Sequence, residues 1–319
     1  IRDSIYTIRI LPDFKGYVST NKLINLNPTE IINSRHHANE VSATNAAFMV
    51  LKEILTNEKY KGLGNRMNLL ITPMENADGA AIHYELQKQH PTWIFHIARY
   101  NSLGKEFYRD YYDIETIHTE AYAVRRLYYR WLPDVFVDNH GVPSHEWEQQ
   151  FAGYTSPWFK GFWLPRALLY GYYWYNTDEC YKNNKKLNEQ LADAIADSLI
   201  DDNEIQEWNM DWKNRHEKYA HRWMPKLFPA DYYKNMINYW VPSSYNPKHG
   251  YMAVRFPWIT AISFTSEVAD ETAQDEYLYL CARTHKMHTL AGIDMILNSR
   301  CVYEKSSLKY IRNRPPVLE

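Results

Sequence analysis

Short apolar runs alternate with amphipathic stretches along the first half of the chain, a pattern typical of α/β proteins. Residues 30–33 and 67–72 predict strands, and apolar residues at helical spacing predict a helix over about 41–55. A second helix over 115–132 precedes a further apolar strand, residues 134–138. We therefore expect an α/β fold with a mixed, largely parallel twisted sheet that is flanked by helices on both faces.

The remaining segments complete this outline. Residues 1–34 read as strands, and residues 252–265 read as an extended segment that delivers Glu267 just after its end. Residues 184–224 read as one long, charged helix whose charges form a solvated face. The last element, over about 271–299, is predicted to be a helix that packs across the sheet.

The segment 151–175 is unusually rich in large aromatic side chains. Such a segment fits a core or a subunit contact, and it equally fits the wall or lid of a substrate cleft. We expect residues 1–319 to form a single catalytic domain with an aromatic and helical insertion at about 143–250. The aromatic surface is also a candidate for contacts within an oligomer.

The composition is that of a folded globular protein, because 45% of the residues are hydrophobic and 23% are charged. The 36 Lys and Arg residues nearly balance the 38 Asp and Glu residues, which leaves a net charge of -2. No basic run stands out, so nucleic acid is not expected as a partner.

The cysteines favour a reduced compartment. There are three of them, without a Cys-x-x-Cys pair, and an odd count fits free thiols better than a disulfide framework. This favours a cytoplasmic location. The alternative is a secreted protein with a processed N-terminus, because the sequence begins at Ile1 and not at a methionine. No uninterrupted apolar run approaches the ~18 residues that a membrane-spanning helix needs.

A candidate metal site lies where the strand 30–33 runs into the helix 41–55. His37 and Glu40 are three positions apart, so an imidazole and a carboxylate would project from one side of a helical first turn toward one cation. The alternative is a helix-start histidine beside a carboxylate that favours the N-terminal dipole. His140 follows the predicted strand 134–138, where ligands usually bind in an open sheet, although a capping or core histidine fits there too.

Together with later motifs, these residues resemble the zinc carboxypeptidase family typified by carboxypeptidase A. The matching features occur in the family's order and cover about residues 30–270. They are His37-Ala38-Asn39-Glu40, the strand and turn 69–79 with Asn76-Ala77-Asp78-Gly79, Gly104-Lys105-Glu106-Phe107-Tyr108-Arg109, His140 after a core strand, and Glu267 after a late strand. The resemblance implies one zinc ion per chain, bound by His37, Glu40 and His140, a ligand set for which carboxypeptidase A is itself the standard example.

The resemblance also implies catalytic roles. Glu267 would take a proton from the zinc-activated water and pass it to the leaving amine. Glu106 would orient a zinc-bound histidine, where the family usually has aspartate. Arg99 and Arg109 look like the arginines that polarise the scissile carbonyl and grip a substrate carboxylate, although both could instead be surface or ion-pairing arginines.

Three further residues bear on substrate binding. Tyr245 lies in the region where the family has a mobile tyrosine that closes over the bound terminus. Met252 would face the specificity pocket and would disfavour a basic terminal residue. Tyr108 stands where the family pairs asparagine with arginine, and this departure puts removal of a single C-terminal residue in doubt. The interval from His140 to Glu267 is also longer than the family leads us to expect.

The sequence therefore predicts a zinc-dependent peptidase that hydrolyses an amide bond near the C-terminus of a peptide or peptide-like substrate. One alternative is an amidohydrolase that acts on small acylated amino acids or on a cell-wall peptide. Another is a catalytically silent relative that binds peptides or glycans. The chain lacks His-Glu-x-x-His, Gly-x-Ser-x-Gly and phosphate-loop motifs, so other common catalytic schemes find little support.

Overall fold

The structure is a computed structural model. It describes residues 4–93, 95–141, 170–215, 218, 231–234, 236–271, 273–305, 310–314 and 316–318. The strands in these ranges are β1 Ile8–Ile10, β2 Thr29–Ser34, β3 Asn68–Thr72, β4 Val135–Gly141, β5 Tyr170–Asn176, β6 Asp231–Tyr233, β7 Met236–Ser243, β8 Ile262–Val268, β9 Ser299–Arg300, β10 Tyr303–Lys305, β11 Tyr310–Arg312 and β12 Val317–Leu318. The α-helices are α1 Thr20–Leu26, α2 Ser42–Thr56, α3 Ala77–Gln89, α4 Thr119–Trp131, α5 Lys182–Leu199, α6 Asn203–Arg215, α7 Met252–Arg255 and α8 Asp275–Leu297.

Eight of these strands form one mixed sheet in the order β1-β3-β2-β4-β8-β5-β7-β6. The central pairs β3/β2, β2/β4 and β4/β8 are parallel. β5 joins β8 in an antiparallel pair and then pairs in parallel with β7. The predicted α/β fold with a mixed, largely parallel sheet is confirmed.

The central strands are apolar because both of their faces are covered. Every residue of β2, β3 and β8 is buried, as expected of parallel strands that carry helices on both sides. One face packs against α2, α5 and α8, and its core includes Ile32, Leu191 and Ile293. The other face packs against α1 and α4, with Ile31 and Trp131 in its core.

The sheet register brings distant parts of the chain to one edge. On β2 and β4, Ser34 is paired with Asn139, so the loop that follows β2 starts beside the end of β4. On β4 and β8, His140 is paired with Glu267. All three strands run in the same direction. The candidate residues at or just after their carboxyl ends therefore lie close together at one end of the central strands.

The N-terminal region differs from the prediction, because residues 1–34 contain a helix as well as strands. The helix α1 begins after Ser19, whose side-chain oxygen accepts a hydrogen bond from the Lys22 backbone N–H at 3.3 Å. Only Leu23 and Ile24 are buried in α1, so its apolar pattern is too short to stand out. The predicted strand before it is limited to β1.

The long charged helix predicted over 184–224 is wrong as a single element. α5 ends at Leu199 and α6 begins at Asn203, and the carboxylate of Asp202 accepts a hydrogen bond from the Ile205 backbone N–H at 3.2 Å. Asp202 is therefore a helix-capping residue where a solvated helical position was expected. The end of the predicted helix, residues 216–224, lies outside the described residues except for Lys218.

The segment 252–265 is not extended throughout. It begins with the short helix α7, and a turn that contains Pro257 separates α7 from β8. Proline cannot continue a helix, which accounts for the break. Glu267 consequently lies within β8 and not after it.

The predicted insertion at about 143–250 falls partly outside the described residues. Of the aromatic segment 151–175, the part from residue 170 onward forms β5 in the main sheet, and the rest lies in the range that is not described. The division into one domain with an insertion stays a prediction. None of the described helices combines the length and the apolar character needed to cross a membrane.

Candidate metal centre

The loop between β2 and α2 places the first two candidate ligands. Arg35 turns the chain sharply after β2 with a positive φ of 61°. A turn follows, closed by a hydrogen bond of 3.2 Å from the Glu40 backbone N–H to the His37 carbonyl. α2 starts only at Ser42. His37 and Glu40 therefore lie in a turn before the helix and not in its first turn, as the sequence suggested, and the turn brings their side chains together.

The side chains of His37, Glu40 and His140 converge on one point. Glu40 Oε1 lies 2.6 Å from His37 Nδ1, and Glu40 Oε2 lies 3.2 Å from His140 Nδ1. The two Nδ1 atoms are themselves 3.2 Å apart. All three residues are buried to a large degree, so these polar atoms have little water to interact with.

The outer nitrogens of both imidazoles face carboxylates. His37 Nε2 lies 2.9 Å from Glu106 Oε2, and His140 Nε2 lies 2.9 Å from Asp138 Oδ2. A carboxylate at this position keeps a proton on the outer nitrogen, which leaves the inner lone pair free for a cation. The sequence prediction did not include Asp138, although it precedes His140 by two positions on β4 and so lies on the same side of the strand.

This donor set suits a divalent metal ion. Two inward nitrogen lone pairs and a carboxylate at these distances repel one another unless a cation lies between them. Burial would raise the pKa of Glu40, but His37 and His140 hold that pKa well below its ordinary value. A cluster of two imidazoles and one carboxylate matches the ligands of catalytic zinc sites, which keep a further position open.

A second group of potential ligands adjoins the first. Besides the cluster of His37, Glu40 and His140, the metal-binding groups found among the described residues include His36, His37 and Glu106. His36 is 1% exposed, and its Nε2 lies 2.7 Å from Glu106 Oε1. His36 directly precedes His37, but the sequence prediction assigned it no role.

The three candidate ligands lie at the wall of a cleft. His37 and His140 line a cavity of about 420 Å³. Besides these two histidines, six of the predicted site residues line it: Arg99, Glu106, Tyr108, Arg109, Met252 and Glu267. Glu40 lies directly behind the two histidines and contacts both. The structure thus brings nearly all of the predicted site residues together.

The two arginines occupy different environments. Arg99 is half-buried, and its guanidinium lies 3.2 Å from Glu40 Oε1 and 3.5 Å from Glu106 Oε2. Arg109 is exposed, and its guanidinium carbon lies 5.9 Å from the ring centroid of Tyr108. No carboxylate of the described part of the chain forms an ion pair with Arg109, so its charge is available to a ligand in the cleft.

Tyr245 is not brought to the cleft. Its side chain is 45% exposed, and its ring packs near Trp258 with 5.6 Å between the centroids. Tyr251 lines the cleft instead, stacked on Trp174 at 3.8 Å. Burial and the neighbouring Tyr108 raise the pKa of Tyr251 well above its ordinary value, so its hydroxyl stays protonated.

Part of the chain matches a known protein family. Residues 17–154 match the sequence model of the zinc carboxypeptidase family. A search of curated protein sequences found no match.

Solved structures with the same fold are metallocarboxypeptidases of low sequence identity. A metallo-carboxypeptidase from Burkholderia cenocepacia is 14% identical, with a TM-score of 0.50 over 85% of this chain and 57% of that chain. Bovine thrombin-activatable fibrinolysis inhibitor, solved in complex with a tick carboxypeptidase inhibitor, is 13% identical, with a TM-score of 0.50 over 92% of this chain and 91% of that one.

The bacterial structures are longer than this chain. It spans 57% of the Burkholderia chain, and 65% and 61% of carboxypeptidases from Shewanella denitrificans and Pseudomonas aeruginosa. The fold likeness nevertheless extends well beyond the segment matched by sequence. The chain is thus similar to the zinc carboxypeptidases in sequence over residues 17–154 and in fold over the larger part of its length.

Proposed function

We propose that the protein is a zinc-dependent peptidase that hydrolyses an amide bond near the C-terminus of a peptide. The observation that carries this proposal is the convergence of His37 Nδ1, His140 Nδ1 and the Glu40 carboxylate at the wall of a cleft. The same cleft contains a further carboxylate, Glu267, and the guanidinium of Arg109, which forms no ion pair within the described residues. These are the groups that amide hydrolysis at a chain end requires.

His37, Glu40 and His140 would bind one zinc ion per chain. A bound zinc ion supplies Lewis acidity, which lowers the pKa of water and polarises a carbonyl group. The protein contributes the orientation of the ligands, because Glu106 and Asp138 fix the two imidazole rings through their outer nitrogens.

Glu267 is the group that would move the proton. It is 8% exposed at the wall of the cleft, and the sheet register places it beside His140. Its carboxylate would accept a proton from the attacking water and deliver it to the nitrogen of the leaving amine. Without that delivery the amine is a poor leaving group, so this step is essential to amide hydrolysis.

Arg109 would bind the C-terminal carboxylate of the substrate. A guanidinium is always charged and can form two parallel hydrogen bonds with a carboxylate. Arg99 would chiefly hold Glu40 and Glu106 in place, and its remaining donors face the cleft and would polarise the scissile carbonyl. Tyr108 replaces the family's asparagine beside Arg109, so the carboxylate would rest on an aromatic ring and not on an amide.

Met252 and Tyr251 form one part of the cleft wall. Met252 is 2% exposed and lines the cleft next to Tyr251. We expect a preference for apolar or aromatic terminal residues, since Met252 offers no charge to a basic one. Tyr251 lines the cleft and Tyr245 does not, so Tyr251 would cover the bound terminus in place of Tyr245.

Hydrolysis of small acylated amino acids is a second candidate function. The cleft volume of about 420 Å³ lies at the lower end of the range for small-molecule pockets and would hold one residue with its acyl group. The same metal ligands and Glu267 would serve that reaction. Peptides and acylated amino acids compared in one assay separate the two functions, because a deacylase would lose activity as the peptide lengthens.

The decisive experiment measures metal content and peptide hydrolysis in the purified protein and in His140→Ala. We expect about one zinc ion per chain and release of C-terminal fragments, with both lost in the variant. A protein that binds no zinc even after dialysis against excess metal would contradict the proposal. Zinc binding without hydrolysis of any peptide or acylated amino acid would instead support the catalytically silent, ligand-binding relative.

A further inference from the structure

A polar network extends from His37 along the wall of the cleft, which His36, Glu106 and Tyr111 also line, to the buried side chains of Glu75 and Asn33. Its first member is Glu106, which uses both carboxylate oxygens. Oε2 lies 2.9 Å from His37 Nε2, and Oε1 lies 2.7 Å from His36 Nε2. Glu106 therefore bridges two consecutive histidines, only one of which belongs to the proposed zinc ligands.

His36 is held in turn from its other side. His36 Nδ1 lies 3.2 Å from Glu75 Oε1 and 2.9 Å from the Tyr111 hydroxyl. The Tyr111 hydroxyl donates a hydrogen bond of 2.6 Å to Glu75 Oε1, and the Asn33 side-chain amide donates one of 3.2 Å to Glu75 Oε2. The polar atoms that contact the His36 ring thus come from two segments of the chain, Glu75 after β3 and the stretch that contains Glu106 and Tyr111.

The members of this network differ in their exposure. Glu75 and Asn33 are 0% exposed, and Tyr111 is 3% exposed. The side chain of Glu106, in contrast, is 27% exposed and borders the cleft. Buried polar groups are costly unless they are satisfied, so the inner members have well-defined positions. Glu106 is the member with freedom to move.

Glu106 has an alternative partner in the cleft. The guanidinium of Arg99 lies 3.5 Å from Glu106 Oε2, the same oxygen that contacts His37. A glutamate has one more rotatable bond than the aspartate that zinc carboxypeptidases usually have at this position. The contact of Oε1 with His36 supplies a second anchor that compensates for this added freedom. Without it, the carboxylate could turn toward Arg99 and leave the outer nitrogen of His37 without its acceptor.

We propose that His36, held by Glu75 and Tyr111, positions Glu106 and thereby fixes the ring orientation of His37 as a metal ligand. We class His36, Glu75 and Tyr111 as positioning residues because their contacts lead to His37 through Glu106, although His36 and Tyr111 also line the cleft. The proposal rests on the proposed function in one respect, the binding of metal by His37. Loss of such outer contacts typically weakens metal binding about 10- to 100-fold.

Two adjacent tyrosines provide a matched test. Tyr111→Phe removes the hydroxyl that contacts His36 and Glu75, whereas Tyr112→Phe removes a buried hydroxyl with no hydrogen-bond partner among the described residues. Glu75→Gln is a second variant that alters the charge behind His36. For each protein, the zinc dissociation constant is measured by competition with a chelator, and kcat and KM are measured with a peptide.

We expect about 10-fold weaker zinc binding in Tyr111→Phe and a loss of 10- to 100-fold in Glu75→Gln. Tyr112→Phe should stay within about 2-fold of the wild type. In zinc-saturated protein, kcat should fall in Tyr111→Phe by a larger factor than KM rises, because the hydroxyl acts on His37 through His36 and Glu106. Thermal unfolding of the metal-free variants shows whether a change in zinc affinity merely follows a loss of stability.

Equal zinc affinity in the Tyr111→Phe and Tyr112→Phe variants would overturn the inference. So would a second zinc equivalent that is lost in Glu75→Gln, because His36 and Glu106 would then bind metal directly. A wild-type protein that binds zinc tightly but hydrolyses nothing would contradict the proposed function alone. The affinity comparison would still decide the role of the network in that case.

Discussion

His140 and Glu267 lie directly opposite each other on the adjacent parallel strands β4 and β8. One is a proposed metal ligand and the other is the proposed proton carrier, so a single strand pairing sets the distance between the two parts of the site. Because both strands are buried in the centre of the sheet, neither residue can shift independently of the core. Because the two proposed roles belong to two different residues held in fixed positions, each role can be removed by its own substitution.

Glu267→Gln should abolish most of the activity while zinc binding is retained. The amide has nearly the same shape as the carboxylate but cannot accept the proton, so we expect kcat to fall by about 10²- to 10⁴-fold. Zinc content measured by elemental analysis should stay at the wild-type value. The exposed carboxylate Glu58 supplies the control, since Glu58→Gln should change neither quantity. An active Glu267→Gln variant would assign proton transfer to another group.

Arg109→Gln should weaken binding of peptides with a free C-terminal carboxylate. Hydrogen bonds to charged groups contribute roughly 1.5–3 kcal/mol, which corresponds to an increase in KM of about 10- to 100-fold. Peptides with an amidated C-terminus should be hydrolysed equally by the variant and the wild type. Arg126→Gln, at an exposed arginine that lines a different cavity, is the control. No difference between the two peptide classes would show that Arg109 does not bind the terminus.

Glu30 should make the stability of the fold depend on pH. It is 0% exposed, neither carboxylate oxygen has a hydrogen-bond partner among the described residues, and burial raises its pKa to about 8. A raised pKa in the folded state means that its stabilising contribution is complete below about 4.5, the pKa of the unfolded chain, and is lost as the pH rises to about 8. The loss is at most roughly 5 kcal/mol, from about 1.4 kcal/mol per pH unit over the interval between the two pKa values.

The measurement is urea unfolding of the wild type and of Glu30→Gln at several pH values from 5 to 8.5. Glutamine keeps the shape without the ionisation, so the difference in the free energy of unfolding should change in favour of Glu30→Gln as the pH rises. Taking the difference between the two proteins cancels the pH dependence of metal binding, which both share. A difference that is constant over this range would show that Glu30 ionises normally.

Asp134→Asn should destabilise the protein by about 3–5 kcal/mol, the usual cost of leaving a buried charge without its partner. The carboxylate of Asp134 accepts hydrogen bonds from Arg312 at 3.0 Å, Arg314 at 3.3 Å and the Thr29 backbone N–H at 2.8 Å. The Arg312 side chain is 0% exposed, so it would become an unpaired buried cation. Thermal unfolding tests this, with Asp13→Asn as an exposed control. An unchanged Tm would mean that these contacts do not tie the C-terminal segment to the sheet.

Local patterns predicted the elements with long apolar stretches. The central strands β2, β3 and β4 and the helices α2, α4 and α8 follow from periodicity, because their buried faces leave a repeated signal. α1 was missed because only two of its residues are buried. The break between α5 and α6 was missed because Asp202 resembles any other charge on a solvated helix, although it caps α6.

The position of a site residue could be predicted from the sequence where that residue lies at or near the end of a core strand. The usual location of ligands in α/β proteins pointed to His140 at the end of a core strand, and the resemblance to zinc carboxypeptidases pointed to Glu267. Contacts between loops carry no such signal. Nothing in the sequence pairs Tyr111 with Glu75, and a chain with 27 tyrosines offers no local reason to prefer Tyr251 over Tyr245.

The parallel pairing of β2, β4 and β8 has a consequence for the newly made chain. His37, His140 and Glu267 come from three distant parts of the sequence, and parallel pairing of such distant strands is a late and slow step in folding. A nascent or partly folded chain therefore lacks the assembled candidate site. If the proposed function holds, peptide hydrolysis begins only after these three strands have paired, so an unfinished chain is inactive.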